Sequence, residues 1–302
     1  MLIRDLFRSD RPLFSIELFP PKTEQGVENL KRKLREIQPY HPDFISVTYG
    51  AGGGTRHTTG EITAFIHQEL GMEVMPHLTC VSHSRAEIAG LLAQHRAIGV
   101  DNIMALRGDP PQGETRFEPP PDGLRYAVEL VREIRALDHF GIGAAGYPEG
   151  HPEAENYETD LRRQVEKIAA GADFVVSQFF LENRHFFRWR DDLRRAGVTV
   201  PVMAGILPAQ GLQQITKFAA FCGTSVPASL QTELARYTDD PDSAVEAGLE
   251  YARGQIEELL AAGVDGIHVY ALNRVQPIRA VHEMMAPNEP RSVSESVAQA
   301  RE

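Results

Sequence analysis

The sequence has few of the features that mark secreted, membrane-spanning or nucleic-acid-binding proteins. Its two cysteines, Cys80 and Cys222, lack CxxC or metal-ligand spacing, so we expect a reducing, cytoplasmic location and no disulfide framework. No apolar run approaches the ~20 residues of a membrane-spanning helix, and the N-terminus lacks the apolar core of a signal peptide. Positively charged residues are also fewer than negatively charged ones, with 31 Lys and Arg against 42 Asp and Glu. The net charge of −11 argues against nucleic acid or an anionic membrane as a partner.

The sequence does contain a regular alternation of short apolar segments and amphipathic segments. Of the 302 residues, 42% are hydrophobic, which is enough for the core of one large domain or two smaller ones. The predicted strands are 14–21 (ending in a proline pair), 43–49, 73–80, 102–106, 142–146, 173–180, 201–207 and 266–272. The predicted helices are 23–38, 62–70, 85–98, 124–137, 157–170, 185–196, 210–221, 228–237, 241–263 and 275–285.

Eight strands alternating with helices predict an α/β fold, a (β/α)8 TIM barrel. The eighth unit is irregular, because an extra helical segment stands between strands 7 and 8. The alternative is a doubly wound open sheet, but no GxGxxG motif follows any predicted strand. We expect one catalytic domain over residues 1–286 and a polar C-terminal tail over residues 287–302.

Glu17 is the most unusual residue of the first predicted strand. Strand periodicity puts Phe14, Ile16 and Leu18 on one face, and Ser15, Glu17 and Phe19 on the other. A carboxylate inside an apolar strand is costly to bury unless it has a partner or a function. Considered alone, Glu17 could also be an edge-strand glutamate that faces water.

Polar residues gather where the predicted strands end, which is where (β/α)8 barrels carry their active sites. They are Glu17, Thr48, Tyr49, His77, Arg107, Asp109, Tyr147, His151, Gln178, Tyr270, Asn273 and Arg274. Each one alone could be a loop residue in water. The histidines come without matching ligand pairs, so we expect no metal. A phosphate at a helix N-terminus, with Arg107 and Lys167 adding positive charge, is a further possibility.

Eight short sequence motifs, taken in order, resemble those of a known family. They are SIELFPPKT, SVTYGAGGGTR, HLTC, ALRGDPP, GYPEGHPEA, FVVSQFF, AGILP and HVYALNR. They resemble methylenetetrahydrofolate reductases, over the chain from Phe14 to about Met285. The resemblance implies a (β/α)8 flavoprotein that binds FAD without a Rossmann unit. It also implies reduction of 5,10-methylenetetrahydrofolate to 5-methyltetrahydrofolate in one-carbon metabolism and methionine supply. NADH or NADPH would give a hydride to FAD and leave before the folate enters, in a ping-pong sequence.

The same resemblance implies roles for individual residues. Glu17 is expected to be the general acid, and Asp109 to lie beside the flavin and the folate pterin, so that both are catalytic and contact substrate. Further folate contacts are expected from Gln178, Gln214, Phe218 and Arg274. The expected FAD contacts are Thr48, Tyr49, Ala51, His77, Arg107, Gly108, Asp109, Tyr126, Tyr147, His151, Ala154, Asp160 and Lys167. We expect burial to raise the pKa of Glu17 toward neutrality, so that it can hold and deliver a proton.

Other expectations concern assembly and competing functions. We expect a homo-oligomer, and no S-adenosylmethionine-binding regulatory domain of the kind that larger family members carry, because the chain ends soon after the predicted barrel. A different flavin-binding barrel, such as a proline-dehydrogenase-like enzyme acting on an amino acid, is the alternative enzyme. A folate- or flavin-binding regulatory module is the non-enzymatic alternative, although it would leave Glu17 unexplained.

Overall fold

The computed structural model describes residues 1–49, 56–110 and 117–285. Its strands form one closed parallel barrel in sequential order, and β1 pairs with β8 to complete it. The strands are β1 Leu13–Leu18, β2 Phe44–Val47, β3 Val74–Thr79, β4 Asn102–Leu106, β5 Gly141–Gly146, β6 Phe174–Ser177, β7 Val202–Ile206 and β8 Gly266–Tyr270. The predicted (β/α)8 barrel is therefore confirmed, and the open-sheet alternative is wrong.

The barrel is surrounded by helices, of which a short one precedes β1 and the others follow the strands along the chain. They are α1 Ile3–Leu6, α2 Glu24–Ile37, α3 Arg56–Ala64, α4 Arg85–Ala97, α5 Ala127–Ala136, α6 Tyr157–Ala169, α7 Asn183–Arg195, α8 Leu212–Cys222, α9 Ala228–Ala235, α10 Pro241–Ala261 and α11 Val275–Met285. Between β7 and β8 lie α8, α9 and α10, which confirms the predicted extra helical segment. Within the three described ranges, no helix is both long and apolar enough to cross a membrane. The predicted tail, 287–302, lies outside the described residues.

The largest differences from the predicted helices concern α1, α3 and α5, and each has a local reason. Helix α1 was not predicted, because four residues are too few to show a helical period. Helix α3 begins six residues before the predicted position 62, since its first turns are polar and carry no apolar repeat. Helix α5 begins at Ala127 rather than 124, because the Glu129 carboxylate accepts the backbone N–H groups of Arg125 and Tyr126 at its N-terminus.

Strand β1 shows how the barrel interior changes from apolar to polar. Its outward side chains, Phe14, Ile16 and Leu18, belong to the core between sheet and helices. Leu13 belongs to the apolar cluster that also contains Ile3, Phe44, Met75, Met104, Phe174, Val176 and Met203. Ser15 and Glu17 contact other inward side chains further along the strand. The C-terminal half of the barrel interior is therefore available for polar chemistry.

Carboxylates at the opposite, N-terminal strand ends have a structural role. Asp43, Asp173 and Asp265 each immediately precede a strand. Each carboxylate accepts a backbone N–H of the preceding strand at 2.7–2.8 Å and is ion-paired with an arginine. Because these contacts join neighbouring strands, they stabilise the barrel on the face away from the predicted site.

Candidate active site

Glu17 lies at the centre of the polar half of the barrel and is only 7% exposed. Its Oε2 atom is 3.3 Å from Nε2 of His77 and 3.6 Å from Nε2 of His268. The hydroxyl of Ser46 also donates to this oxygen at 3.4 Å. In the described part of the chain, neither Nε2 atom has another hydrogen-bond partner. Glu17 is therefore not an edge-strand residue in water, and two imidazoles converge on one carboxylate oxygen.

The expectation that Glu17 has a raised pKa is wrong. Burial does raise the pKa of this carboxyl, but hydrogen bonding and positive charge from His268 and His77 outweigh burial and lower it to about 2. The sequence argument considered the apolar neighbours along β1 and not the groups across the barrel. The carboxyl is consequently held in its ionised form.

His268 is a site residue that the sequence analysis missed. It is completely buried, and its Nδ1 atom is 2.7 Å from the hydroxyl oxygen of Ser15. Strand β8 reads Gly-Ile-His-Val-Tyr, so the period of two that places Tyr270 inside the barrel also places His268 there. That alternation could have identified His268 from the sequence as a residue inside the barrel. Its closeness to Glu17, however, follows from the pairing of β8 with β1.

Arg107, the predicted cofactor contact that follows β4, is paired with an acid from another loop. Its Nη1 and Nη2 atoms lie 2.5 and 2.8 Å from the two carboxylate oxygens of Glu153. The pair raises the pKa of Arg107 and lowers the pKa of Glu153. A bidentate guanidinium of this kind suits a carboxylate or phosphate. An anionic part of FAD therefore fits the donor chemistry of Arg107.

Gly108, the residue after Arg107, is required by its backbone conformation and by its packing. Its φ of +86° favours glycine, and a Cβ at this position would lie 2.9 Å from side-chain atoms of both Thr79 and Val81. The residue after Arg107 must therefore be glycine. Asp109, which follows, is exposed and close enough to Arg107 and Tyr147 to influence their ionisation.

The loop after β5 and the following helix, α6, carry the next group of predicted cofactor contacts. The Tyr147 and His151 rings meet edge to face with centroids 4.7 Å apart, and Ala154 N–H donates to the His151 carbonyl. Asp160 is buried and accepts the backbone N–H of His151 at 3.0 Å. Lys167 donates to the carbonyl of Ala145 on β5, and burial lowers its pKa to about 8.

Gln164 supports this arrangement and was also missed from the sequence. Its Oε1 atom accepts the backbone N–H of Tyr147 at 3.1 Å and the indole N–H of Trp189 at 3.0 Å. Its amide nitrogen donates to Asp160 at 2.6 Å. A buried glutamine inside an amphipathic helix gives no sequence signal of its own. Its role depends on which loop packs over it.

The loop after β2 carries two more predicted contacts. The Tyr49 hydroxyl is 2.9 Å from Nε2 of His83, whose Nδ1 atom is 2.8 Å from the Ser82 carbonyl. Since a carbonyl only accepts, Nδ1 carries the hydrogen and the Tyr49 hydroxyl donates to Nε2 when the ring is neutral. The Thr48 carbonyl accepts the Thr59 hydroxyl at 3.1 Å. Ala51 lies outside the described residues.

The predicted folate contacts are spread over three elements. Gln178 follows β6 and lines one depression with Tyr147 and Cys222. Gln214 lies on α8, where its Oε1 accepts the Gln210 N–H and its buried Nε2 has no partner among the described residues. Phe218 on α8 is partly buried against a neighbouring apolar cluster. Arg274 and the predicted flavin contact Tyr126 are exposed.

Over 1–49, 56–110 and 117–285, no three His, Cys, Asp or Glu side chains are grouped so that they could hold a metal ion. His77 and His268 both approach the same carboxylate oxygen of Glu17.

Comparisons with known proteins give similarities in sequence and in fold. A sequence-family model described as methylenetetrahydrofolate reductase matches residues 2–286. The chain is 36% identical over 282 residues to methylenetetrahydrofolate reductase (NADH) 1 of Arabidopsis thaliana, covering 90% of this chain and 48% of that protein. It is 36% identical over 262 residues to 5,10-methylenetetrahydrofolate reductase of Pectobacterium carotovorum subsp. carotovorum, covering 87% and 86%. The chain thus spans about half the length of the plant and yeast relatives it matches.

A solved structure is similar in fold at low sequence identity. It is a protein from Clostridium thermocellum that binds two copies of 5-methyl-5,6,7,8-tetrahydrofolic acid, with a TM-score of 0.65 and 14% identity. The match covers 94% of this chain and 98% of that one. At this identity, the similarity concerns the barrel fold alone.

Proposed function

This chain belongs to the methylenetetrahydrofolate reductase family, and we propose that it reduces 5,10-methylenetetrahydrofolate to 5-methyltetrahydrofolate with NADH or NADPH and resident FAD. The observation that carries the proposal is Glu17, a buried carboxylate at the catalytic end of the barrel with two imidazoles on one oxygen. A barrel that only bound folate or flavin would not need such a group. The expected homo-oligomer and cytoplasmic location stay predictions.

The residues proposed to hold FAD line the loops after β2 to β5 and the inner face of α6. They are Thr48, Tyr49, His77, Arg107, Gly108, Asp109, Tyr126, Tyr147, His151, Ala154, Asp160 and Lys167. Arg107 has two parallel N–H groups that suit an anionic part of the cofactor, and in this structure Glu153 occupies them. The chemistry that FAD supplies when bound is ping-pong hydride transfer from NADH or NADPH to the folate.

Glu17 is proposed to deliver the proton that the reaction consumes. Because its carboxyl is ionised at neutral pH, it must first take up that proton. Opening the five-membered ring of the folate requires a proton on a ring nitrogen, which leaves an electrophilic iminium at the methylene carbon. Glu17 is the one acidic side chain on β1, and its carboxyl is shielded from water inside the barrel. Asp109, on the exposed side of the site, is proposed to stabilise the cation that forms.

The remaining proposed substrate contacts are Gln178, Gln214, Phe218 and Arg274. The buried Nε2 of Gln214, which has no partner among the described residues, can donate to a folate acceptor without breaking an existing bond. Phe218 offers an aromatic face on α8 for stacking. The name of the plant relative specifies NADH, which makes NADH the first reductant to test.

The test is to purify the chain with flavin bound and follow its yellow absorbance without oxygen. We expect NADH or NADPH to bleach the flavin and methylenetetrahydrofolate to restore the colour, with methyltetrahydrofolate as product. Bleaching by proline instead would favour the proline-dehydrogenase-like alternative. Flavin or folate binding without either half-reaction would favour the regulatory module and overturn the proposed enzyme.

A further inference from the structure

Helix α8 carries two of the proposed folate contacts, Gln214 and Phe218. Its buried residues are Ile215 and Ala219, and Ile215 belongs to the apolar cluster formed with residues that follow β6 and β7. The hydrophobic effect is non-directional, so hydrogen bonds add the orientation that apolar packing does not supply. Hydrogen bonds of this kind lie at the C-terminal end of α8.

The turn after α8, residues 223–225, is hydrogen-bonded to two loops of the barrel. The Oε2 atom of Glu149, in the loop after β5, accepts the backbone N–H of Ser225 at 3.1 Å and its hydroxyl at 2.5 Å. The Thr224 hydroxyl donates to the carbonyl of Phe179, two residues after β6, at 3.0 Å. The C-terminal end of α8 is therefore tied to the ends of two neighbouring strands.

Glu149 makes the stronger of these two connections. Two donors on one carboxylate oxygen are charge-assisted hydrogen bonds, and the side chain is only 14% exposed, so water competes little for them. Its other oxygen, Oε1, is buried without a partner in the described part of the chain. Nε2 of His185 is 3.9 Å from Oε2, which is beyond hydrogen-bond distance. The contacts of this carboxylate are thus directed at Ser225.

Glu149 stands between the proposed cofactor contacts and the proposed substrate helix. Tyr147 and His151, both proposed to hold FAD, are each two residues away in the same loop. Phe218 lies about one turn, and Gln214 about two turns, before the C-terminal end of α8. Because a helix moves as a stiff rod over two turns, the position of its C-terminal end sets where these two side chains point.

We propose that Glu149, through Ser225, is a positioning residue for folate binding, which fixes α8 so that Phe218 and Gln214 meet the substrate. This rests on the proposed reductase function. Contacts that are oriented before the ligand arrives do not have to be ordered when it binds, which improves affinity. Glu149 should therefore affect the affinity for folate, and neither the chemical step nor the binding of FAD.

The first test measures reoxidation of the reduced holoenzyme by methylenetetrahydrofolate in stopped flow. Glu149→Ala removes the acceptor for both Ser225 donors. We expect the half-saturating folate concentration to rise about five- to twentyfold and the limiting rate to stay within about threefold. Ser225→Ala should raise this concentration by less, and Ser225→Thr, which keeps the hydroxyl, should stay within about twofold of wild type. A lower limiting rate with unchanged half-saturation would overturn the proposal.

A matched pair of glutamates controls for charge. Glu182 Oε2 lies 3.5 Å from Nε2 of His185, as Glu149 lies on its other side, but Glu182 accepts from Arg184 instead of Ser225. Glu149→Gln weakens the bonds to Ser225, because a neutral amide oxygen accepts less strongly, and should raise the half-saturating concentration about two- to fivefold. Glu182→Gln makes the same charge change and should leave it within error. Equal effects would assign the change to charge and overturn the proposal.

Stability and cofactor binding separate positioning from a merely structural role. Urea unfolding and the Kd for FAD are measured on the same variants, and we expect the Kd to stay within about twofold of wild type. Folate half-saturation that stays unchanged while stability falls would overturn the proposal. FAD binding weakened as much as folate binding would overturn it as well. If Glu149→Ala does not fold, Glu149→Gln and Ser225→Ala decide the same question.

A combined variant tests whether Glu149 acts through α8. In a protein that already carries Gln214→Ala and Phe218→Ala, adding Glu149→Ala should raise the half-saturating concentration by less than about twofold. Losses that multiply would show that Glu149 acts on folate by another route and would overturn the proposal. Failure of the proposed function itself is distinguishable, because the wild type would then not reduce folate at all.

Discussion

The carboxylate of Glu153 binds the guanidinium of Arg107 through two hydrogen bonds, of 2.5 and 2.8 Å. The pair joins the loop after β5 to the loop after β4, at the proposed FAD site. Glu153 is more than half exposed, so the ion pair is worth at most about 1 kcal/mol. A cofactor anion that uses Arg107 must replace this carboxylate.

Replacing Glu153 with glutamine should therefore tighten flavin binding. Glu153→Gln removes the competing charge, and we expect the Kd for FAD to fall about two- to fivefold, as measured by fluorescence quenching on titration. Glu155→Gln, an exposed glutamate on the same loop, makes the same charge change away from the pair and should leave the Kd within error. Weaker binding by Glu153→Gln would mean that Glu153 orients Arg107 for the cofactor.

Glu17→Gln should separate the two half-reactions. The amide keeps the shape of the side chain but cannot deliver a proton, so folate reduction should fall by about 10² to 10⁴ while reduction of the flavin by NADH or NADPH stays close to wild type. Stopped-flow absorbance measures each half-reaction. Equal loss of both would contradict an acid role confined to folate reduction.

Two glycines of helix α10 should respond oppositely to alanine. A Cβ at Gly248 would lie 1.9 Å from the Ala209 carbonyl oxygen, so Gly248→Ala should lower the free energy of unfolding by about 3 kcal/mol. Gly254, on the same helix, has nothing within 4 Å of that position, and Gly254→Ala should raise it by about 0.5–1 kcal/mol. Urea denaturation measures both. Similar losses in the two variants would contradict the close approach of α10 to Ala209.

His95 on α4 should make the fold sensitive to acid. Burial lowers its pKa from 6.5 to about 4, so between these values the unfolded chain binds a proton that the folded chain does not. Its contribution to stability is present above pH 6.5 and falls by up to about 3 kcal/mol as the pH drops to 4. His95→Leu should flatten the urea-unfolding free energy over this window. An equally steep loss in the variant would assign the acid sensitivity to other groups.

The barrel was predictable because its information is local. Short apolar strands, amphipathic helices and the order of their alternation are readable along the chain, and they restrict the fold to a few topologies. Helix α1 escaped prediction because four residues cannot show a period. The start of α5 was misplaced because the Glu129 carboxylate accepts the backbone N–H groups of Arg125 and Tyr126.

The sequence by itself determined the eight-stranded barrel and singled out Glu17, since a carboxylate in an apolar strand stands out without any knowledge of its neighbours. Only the tertiary structure decided the charge of that carboxylate, its closeness to His268, and the pairing of Arg107 with Glu153. The reason is that a pKa depends on groups across the barrel and on water excluded by closure, and β1 meets β8 only when the sheet closes.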